Sequence, residues 1–453
     1  MKTNDWLSRI PLLRAALEPR SVAALESGGD GGRDSGRLGR PIPERLKATL
    51  RRHPEALSPR ALRRTLAELT AIVDPQVSEV EAGRLAREVA AWYAKATPDE
   101  RCDCWLLMSE QFAPDARKIR AAREQYEAAH GTPEEGQAEI RLRKAFISAR
   151  TRLLQRFAVF PEGMQFLVDL RAELLPQLKV DTRLLALDAE LEHLFSTWFD
   201  VAFLELRRIS WDSPASLVEK LIKYEAVHDI RSWDDVKNRL DSDRRCYGFF
   251  HPRLDNEPLI FVEVALMNEM AGSITPLLDE TAALSDPHRA STAIFYSISS
   301  TQPGLRGVSF GDSLIKRVVE TLKGEFPRLR TFATLSPIPG VRTWLAKNIA
   351  TMLERLEAKP RAELARALGG EATPQKLTAA WDKPLDPVAR FHLGNGARIE
   401  RLNVAGDPSP KGLKQSYGLM VNYLYDIKRL DRHRAMFAQG QIPISGAIED
   451  LYF

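Results

Sequence analysis

Cysteine is scarce in this chain, and its scarcity excludes two common ways of stabilising a protein. Only Cys102, Cys104 and Cys246 occur among 453 residues. A small and odd number excludes a disulfide framework and favours a reducing compartment. The Cys-x-Cys spacing of the first two differs from the spacing of zinc ligands, and no second pair follows. Since no other His, Glu or Cys residues stand at ligand spacing, we predict no metal site.

The chain also has few features that would direct it to a membrane or an organelle. No apolar run approaches the roughly 18 residues that a transmembrane helix needs. The N-terminus contains Asp5 and no long apolar core, which argues against a signal peptide, although its Arg and Ser leave organelle targeting open. The C-terminal Leu451-Tyr452-Phe453 is not a peroxisomal address. We therefore predict a cytoplasmic protein without a membrane partner.

Neither sign of charge dominates the sequence. There are 65 basic and 61 acidic residues, and the formal net charge is +4. This balance argues against bulk binding of nucleic acid, so we predict no nucleic-acid partner. A local basic pocket for an anionic small molecule remains compatible with it.

Composition and pattern divide the chain into three parts. Residues 1–45 are glycine-rich and polar, and we predict a flexible segment there. Residues 46–180 are rich in Arg, Ala, Glu and Leu and contain helix-start signals at Ser58 and Thr97, each followed by proline. Residues 181–453 mix strand and helix patterns. We therefore predict an α+β protein, in which an all-helical bundle domain precedes a mixed-sheet domain.

The most informative stretch, residues 295–322, predicts a strand, a loop and a helix. Gly304, Gly307 and Gly311 would let the loop backbone approach a ligand without an intervening Cβ. Free N–H groups at the helix start, with Arg306 nearby, suit a phosphate group. The spacing matches neither a Walker loop nor a GxGxxG fingerprint, so the loop by itself leaves an anion site open.

Several polar side chains stand at the ends of predicted strands, in positions suited to chemistry. His392 precedes a strand, and histidine is the usual proton donor near neutral pH, but a structural histidine also fits. Ser336 follows a strand within a proline-rich loop, which favours either a ligand-directed hydroxyl or a turn serine. Tyr425 lies at the end of the last strand, where its ring could serve in packing instead of in chemistry. Ser297 and Ser299 share one strand face.

Five sequence blocks follow one another in the C-terminal half. They are HPRLDNEPLIFVEVAL (251–266), FYSISSTQPGLRGVSFGDSLIKRVV (295–319), LSPIPG (335–340), FHLGNGA (391–397) and GLMVNYLY (418–425). In these blocks the chain resembles the malonyl-CoA decarboxylase family, over about residues 180–430. The resemblance implies a helical domain, a C-terminal domain like the GNAT acetyltransferases, and conversion of malonyl-CoA to acetyl-CoA and CO2.

The resemblance also implies roles for individual residues. Ser336, in LSPIPG, becomes the catalytic serine that orients the malonyl group. His392, in FHLGNGA, becomes the proton donor to the enolate, and Tyr425, in NYLY, becomes an active-site hydroxyl. Ser297 matches a further site position. The residues that match the coenzyme A loop are Arg306, Gly307, Val308, Ser309, Phe310, Gly311 and Asp312.

One residue departs from the pattern of the family that the chain resembles. Relatives often carry a glutamate where this chain has Ser309. If that acid orients the histidine or the serine, then a water or another acid such as Glu263 has to take its place here.

The resemblance implies that malonyl-CoA is the substrate. Coenzyme A is part of that substrate, so no separate cofactor is implied. It further implies self-association through the helical domain, as a dimer or a tetramer. Two other functions remain open from the sequence. An acyl-CoA-dependent N-acetyltransferase would share the fold, and a non-catalytic acyl-CoA-binding protein would share the loop.

Overall fold

The first part of the chain is built from helices. A computed structural model describes residues 42–47, 56–308, 314–342, 344 and 386–450. Within the described residues, the helices that precede the first strand are α1 Ile42–Lys47, α2 Pro59–Val73, α3 Glu79–Lys95, α4 Pro98–Gln111, α5 Ala116–Ala128, α6 Glu135–Phe146, α7 Ala149–Phe157, α8 Gly163–Leu174 and α9 Leu185–Trp198. The predicted helical character of this part is confirmed.

The helix starts predicted from Ser58 and Thr97 are confirmed, and both use their side chains as caps. The Ser58 side chain accepts a hydrogen bond from the N–H of Ala61 and so satisfies an otherwise unpaired donor of α2. Thr97 and Glu100 form a capping box at the start of α4, in which each side chain bonds the other residue's backbone N–H. Proline occupies the first turn of both helices, where its missing N–H costs nothing.

The second part of the chain alternates strands and helices. Its strands are β1 Glu205–Ile209, β2 Arg244–Phe250, β3 Pro258–Met267, β4 Thr292–Ser300, β5 Thr331–Thr334, β6 Ser336–Pro337, β7 Arg398–Asn403 and β8 Met420–Leu424. Its helices in the described residues are α10 Ala215–Tyr224, α11 Trp233–Arg239, α12 Leu314–Glu325, α13 Pro387–Gly394, α14 Pro410–Ser416, α15 Leu430–Ala438 and α16 Gly446–Glu449.

The strands form one mixed sheet in the order β1-β2-β3-β4-β5-β8-β6, with β7 on the other side of β8. All neighbours are antiparallel except β4 and β5, which run parallel and are joined through α12. Strands β5 and β6 keep one register along β8, with Ala333 opposite Leu424 and Ser336 opposite Val421. The predicted α+β class, with helices first and a mixed sheet second, is confirmed.

One hydrophobic core connects the helical part with the sheet. Its buried side chains include Leu167 and Phe195 from the helices and Phe295 and Val318 from the sheet and α12. The domain boundary that we placed near residue 180 stays a prediction, and helices continue to Trp198 before β1 begins.

Some sequence predictions fall outside the described residues. These are residues 1–41 of the segment predicted to be flexible and loop residues 309–312. The last residues of that segment, 42–45, belong instead to α1, in which Ile42 and Arg45 are buried. Among the helices that the structure describes, none is long and apolar enough to cross a membrane.

Candidate active site

Ser336 and His392 are placed by a strand and a helix that meet over one face of the sheet. Ser336 opens the short strand β6, where β5 continues along β8. His392 lies in the last turn of α13 and precedes β7, as the sequence predicted, although the helix itself was not predicted at this position. The Asp386 side chain caps that helix by accepting the N–H groups of Val388 and Ala389. The fold thus brings two residues together that are 56 positions apart in the sequence.

A chain of hydrogen bonds connects the predicted catalytic residues. The His392 Nδ1 atom lies 2.7 Å from the Tyr425 hydroxyl, and its Nε2 atom lies 3.3 Å from the Ser336 Oγ. The Ser336 hydroxyl donates to the Thr334 Oγ1 at 2.9 Å, and this oxygen also accepts the backbone N–H of Tyr423 at 3.2 Å. The His392 ring stacks on the Tyr423 ring, with 4.7 Å between centroids. Three predicted site residues therefore form one contact group.

Strand register explains why these side chains meet. Ser336 lies opposite Val421, and directly opposed residues of antiparallel strands point to the same face of the sheet. Tyr423 lies two residues beyond Val421 and Tyr425 four, so alternation directs both to that same face. His392 approaches this face from α13. We refer to Thr334, Ser336, His392, Tyr423 and Tyr425 as the histidine cluster.

Burial fixes the protonation states in the histidine cluster. Ser336, His392 and Tyr425 are all buried, and the His392 side chain is 3% exposed. Loss of hydration lowers the pKa of His392 from its ordinary 6.5 to about 3, so the ring is neutral at pH 7. Burial likewise raises the pKa of the Tyr425 phenol well above 10, so it keeps its proton. Because the Ser336 hydroxyl donates to Thr334, its oxygen accepts from Nε2, and the Tyr425 hydroxyl donates to Nδ1. From this pattern we assign the ring proton to Nε2, where it faces Ser336.

Ser297 is not part of the histidine cluster. The pairing of β3 with β4 shifts register, so that Phe295 lies opposite Val264 while Ser297 lies opposite Glu263. Since consecutive residues of β3 point to opposite faces, Phe295 and Ser297 do so as well. The Phe295 ring faces Tyr425 at 6.4 Å between centroids, which places the Ser297 hydroxyl on the other face.

On that other face, Ser297 is held by an acidic residue that the sequence did not single out. Its hydroxyl donates to both carboxylate oxygens of Glu225, at 2.9 and 2.8 Å. The Glu225 carboxylate also accepts the Ser299 hydroxyl and the backbone N–H groups of Val227 and His228. Because its acceptor sites are filled from the protein itself, this carboxylate fastens the end of β4 to the segment after α10.

Glu263 does not stand in for the acid missing at Ser309. It lies opposite Ser297 and therefore points to the face away from His392. Arg239 binds it at 2.9 Å, and burial raises the pKa of its carboxyl to about 8, although Arg239 opposes that rise. Among the described residues, no group of three or more His, Cys, Asp or Glu side chains is arranged to hold a metal ion.

The predicted coenzyme loop leaves the sheet at the same edge as Ser336. Strands β4 and β5 are parallel and pair from Thr292 to Phe295, so their carboxyl ends lie side by side. The loop follows β4, with Arg306 exposed, Gly307 in a left-handed conformation at φ 83° and Val308 buried. Predicted loop residues Ser309, Phe310, Gly311 and Asp312 lie outside the described residues.

The role expected for Gly304 needs a correction. A Cβ at this position would lie 1.8 Å from the backbone carbonyl oxygen of Val168 in α8. The missing side chain therefore lets the loop pack against the helical part of the chain, and not against a ligand.

Sequence reasoning missed two residues next to the site. Thr334 accepts the hydrogen bond of the Ser336 hydroxyl. It stands two residues before Ser336, and this spacing in a strand indicates that the two side chains share one face of the sheet. Arg171 binds the loop carbonyls and lies on the apolar face of α8, four residues after Leu167 and three before Leu174. A charged residue on such a face signals a buried polar contact.

Two family profiles match the chain. The "Malonyl-CoA decarboxylase C-terminal domain" matches residues 202–452, which is more than half of the chain. The "Malonyl-CoA decarboxylase N-terminal domain" matches residues 112–199. These ranges cover the sheet, the histidine cluster and the later helices of the helical part.

The relatives and solved structures that resemble the chain carry the same family name. It is 37% identical to "Malonyl-CoA decarboxylase, mitochondrial" of Rattus norvegicus over 336 residues, which is 64% of this chain and 68% of that protein. The corresponding protein of Anser anser anser is 35% identical over 333 residues, 64% of this chain and 66% of that one. The chain thus spans about two thirds of the length of these relatives.

Two crystal structures resemble the fold over most of its length. The malonyl-CoA decarboxylase of Rhodopseudomonas palustris superposes with a TM-score of 0.75 at 40% identity, covering 86% of this chain and 99% of that one. The malonyl-CoA decarboxylase of Cupriavidus metallidurans gives a TM-score of 0.67 at 42% identity, covering 86% and 100%. Profile, sequence and fold agree, and the chain belongs to the malonyl-CoA decarboxylase family.

Proposed function

We propose that this chain converts malonyl-CoA to acetyl-CoA and CO2, with Ser336 orienting the malonyl group and His392 protonating the enolate. One observation carries the assignment of roles: the neutral His392 ring is held between Ser336 and Tyr425 in a buried cluster. This cluster lies at the sheet edge from which the loop carrying Arg306 departs. A coenzyme held by that loop would bring its acyl group toward Ser336.

The reaction requires no covalent nucleophile from the protein. The bond between the carboxylate carbon and the α-carbon breaks, and its electron pair passes into the thioester as an enolate. The Ser336 hydroxyl, fixed by Thr334, would hold the malonyl group so that the breaking bond stands out of the thioester plane. Exclusion of water from the buried cluster protects the enolate until it is protonated.

Proton delivery follows from the assigned tautomer. The Nε2–H of His392 is directed at Ser336, so it also faces a group bound there. It would pass to the enolate carbon while Nδ1 takes the proton of the Tyr425 hydroxyl, 2.7 Å away, and the negative charge of the enolate then lies on the Tyr425 oxygen until a proton from solvent restores the phenol. Tyr425 thereby prevents the ring from being left as an anion.

Ser297 has a structural role in this proposal and not a catalytic one. Its hydroxyl is donated to Glu225 on the far face of the sheet. We propose that it contributes by holding the end of β4 in position, and that a direct contact with the substrate would require the bond to Glu225 to open.

One experiment separates the proposed function from its two rivals. The purified protein is supplied with malonyl-CoA and the release of CO2 and acetyl-CoA is measured, and acetyl-CoA is then offered with an amine acceptor. We expect CO2 release in the first reaction and no acetylated amine in the second. Transfer of the acetyl group without CO2 release would identify an acetyltransferase, and coenzyme binding without either reaction would identify a binding protein.

We expect turnover to show no step near the ordinary histidine pKa of about 6.5. Because burial lowers the pKa of His392 to about 3, the ring stays neutral from about pH 5 to about pH 8. The measurement is kcat at saturating malonyl-CoA across this range. If a charged imidazolium of ordinary pKa were the acid, the rate would instead rise as the pH falls through about 6.5, and that result would contradict the assignment.

We also propose self-association through the helical part, as a dimer or tetramer. Helices α5 and α6 each bury a single residue, Ala122 and Ala138, so this hairpin has little packing within the chain. Ile140 on α6 is 46% exposed. We expect light scattering to report more than one chain per particle, and Ile140→Asp to lower that number. A monomer for the unaltered protein would contradict the proposal.

The cytoplasmic location stays a prediction. The names of the vertebrate relatives include the word mitochondrial. Fractionation of the cells that express the protein would decide between the two compartments.

A further inference from the structure

A buried arginine of the helical part reaches into the loop that follows β4. Arg171 in α8 is 1% exposed. Its Nη1 atom donates to the backbone carbonyl of Gly304 at 2.8 Å and to that of Arg306 at 2.9 Å. These contacts join residues more than 130 positions apart, so they depend on the packing of the helical part against the sheet domain.

The two contacts determine how the loop peptides are oriented. In a planar trans peptide the C=O and the following N–H point in opposite directions. Because the Arg306 carbonyl points to Arg171, the N–H of Gly307 is directed away from the Arg171 guanidinium. Gly307 has a left-handed φ of 83°, which only glycine adopts readily. Arg171 therefore helps to hold the Gly307 N–H, a possible donor to an anion, in a fixed direction.

A second contact fixes the same loop without Arg171. Gly304 packs so closely on α8 that an added Cβ would lie 1.8 Å from the Val168 carbonyl oxygen. The loop thus rests on the backbone of α8 and is fastened there by the guanidinium group. Two independent features, one steric and one polar, set its position from the helical side.

The charge of Arg171 is balanced inside the helical part. Its Nε atom donates to the Asp188 carboxylate at 2.8 Å, and its Nη2 atom lies 3.5 Å from Glu192. Both acids belong to α9. A buried guanidinium requires such partners, because an unpaired charge in the interior is costly. The loop supplies two neutral carbonyls to this contact, so the contact uses neither the Gly307 N–H nor the Arg306 side chain.

We propose that Arg171 is a positioning residue for coenzyme A, through which the helical part pre-forms the loop from Pro303 to Val308. This inference rests on the proposed function, since it takes the loop as the coenzyme site. Arg171 touches no part of the coenzyme in this arrangement. Arg171 holds the loop in one conformation before coenzyme A binds. The loop therefore loses less conformational entropy on binding, and the affinity for coenzyme A is higher for that reason.

The test is Arg171→Lys, with Arg150→Lys as its matched control. Arg150 is also a buried arginine that donates to backbone carbonyls, those of Met108 at 3.1 Å and Ala186 at 2.9 Å, but all of these lie within the helical part. Lysine keeps the positive charge and loses the planar fork that reaches several acceptors at once. We expect both variants to lower the thermal unfolding midpoint.

The two variants should differ in their kinetics and coenzyme binding. For Arg171→Lys we expect KM for malonyl-CoA and Kd for coenzyme A to rise about tenfold while kcat changes less than about twofold. For Arg150→Lys we expect KM and Kd to change less than about twofold. Equal KM and Kd for the two variants would overturn the inference, since the effect would then be general destabilisation.

A milder variant covers the case in which Arg171→Lys does not fold. Asp188→Asn keeps the size of the side chain and does not alter the loop, but it removes the closest charge that holds the Arg171 guanidinium in position, so the contacts of Arg171 with the loop carbonyls weaken. We expect a rise in Kd for coenzyme A in the same direction and smaller in size. An unchanged Kd in a folded Asp188→Asn protein, together with the failure of Arg171→Lys to fold, would overturn the inference.

Failure of the inference can be told apart from failure of the proposed function. Coenzyme A binding is measured by calorimetry without turnover, and Arg306→Ala reports on the loop directly. If Arg306→Ala weakens coenzyme binding and Arg171→Lys behaves like its control, the positioning role alone is overturned. If neither variant alters coenzyme binding, the assignment of the loop is overturned as well. Absence of CO2 release from the unaltered protein would overturn the proposed reaction, while the coenzyme A affinities would still decide the role of Arg171.

Discussion

Replacing His392 by alanine is expected to lower the turnover of malonyl-CoA by about 10²- to 10⁴-fold, because the enolate then lacks its proton donor. The affinity for coenzyme A should stay the same, because the histidine cluster and the loop after β4 are separate parts of the site. The measurements are kcat from CO2 release and Kd for coenzyme A from calorimetry. The expected result is thus a loss in kcat without a loss in binding.

His433→Asn is the matched control for this prediction. His433 is a second buried histidine of the same domain, and its Nδ1 atom lies 3.1 Å from the backbone carbonyl oxygen of Gly396. Removing it disturbs packing to a similar degree but takes no proton donor from the cluster, so kcat should change less than about twofold. Near-normal turnover in His392→Ala would show that another group protonates the enolate. An equal loss in both variants would show that the effect is structural.

The parts of the fold that follow local rules could be predicted from the sequence. The caps at Ser58 and Thr97 were visible because a capping side chain and its helix are neighbours in the chain. The same signal, Asp386 followed by proline, stands before His392 and marks the start of α13. A closer reading of that pair would have placed His392 on a helix.

The face to which each serine points could not be predicted. Ser297 and Ser336 both stand near the carboxyl ends of the parallel strands β4 and β5, and simple alternation gives no reason to separate them. One extra residue, Tyr296, in the pairing of β4 with β3 turns Ser297 to the other face. Such a bulge depends on the partner strand, which a single strand's sequence does not reveal.

Contacts between the helical part and the sheet domain also could not be predicted from the sequence. Gly304 was expected to make room for a ligand, since glycine in a loop before a helix is typical of phosphate sites. In the structure it makes room for α8, and Arg171 holds its carbonyl. Glycine at this position indicates that another group comes close to the loop backbone. Only the packing of the helical part shows that this group is the backbone of α8.

Replacing Ser336 by alanine is expected to lower kcat by about 10²- to 10³-fold, a loss typical of removing one hydrogen-bonding group from a transition state. The hydroxyl stands between His392 Nε2 and Thr334, so its loss removes both the contact with the malonyl group and one constraint on the ring. Ser416→Ala is the matched control, because that buried serine donates to the Leu419 carbonyl away from the cluster. We expect the control to keep its kcat within about twofold.

The Ser336 variant also distinguishes an orienting serine from a nucleophile. The serine lies in no nucleophile elbow, and its hydroxyl donates to Thr334 and not to a histidine base. Intact-mass measurement of the unaltered enzyme, quenched during turnover, should therefore find no malonyl or acetyl group on the protein. A covalent adduct that disappears in Ser336→Ala would contradict the orienting role, because the hydroxyl would then attack the thioester. If no adduct forms and kcat still falls, the serine acts by holding the malonyl group while the carbon–carbon bond breaks.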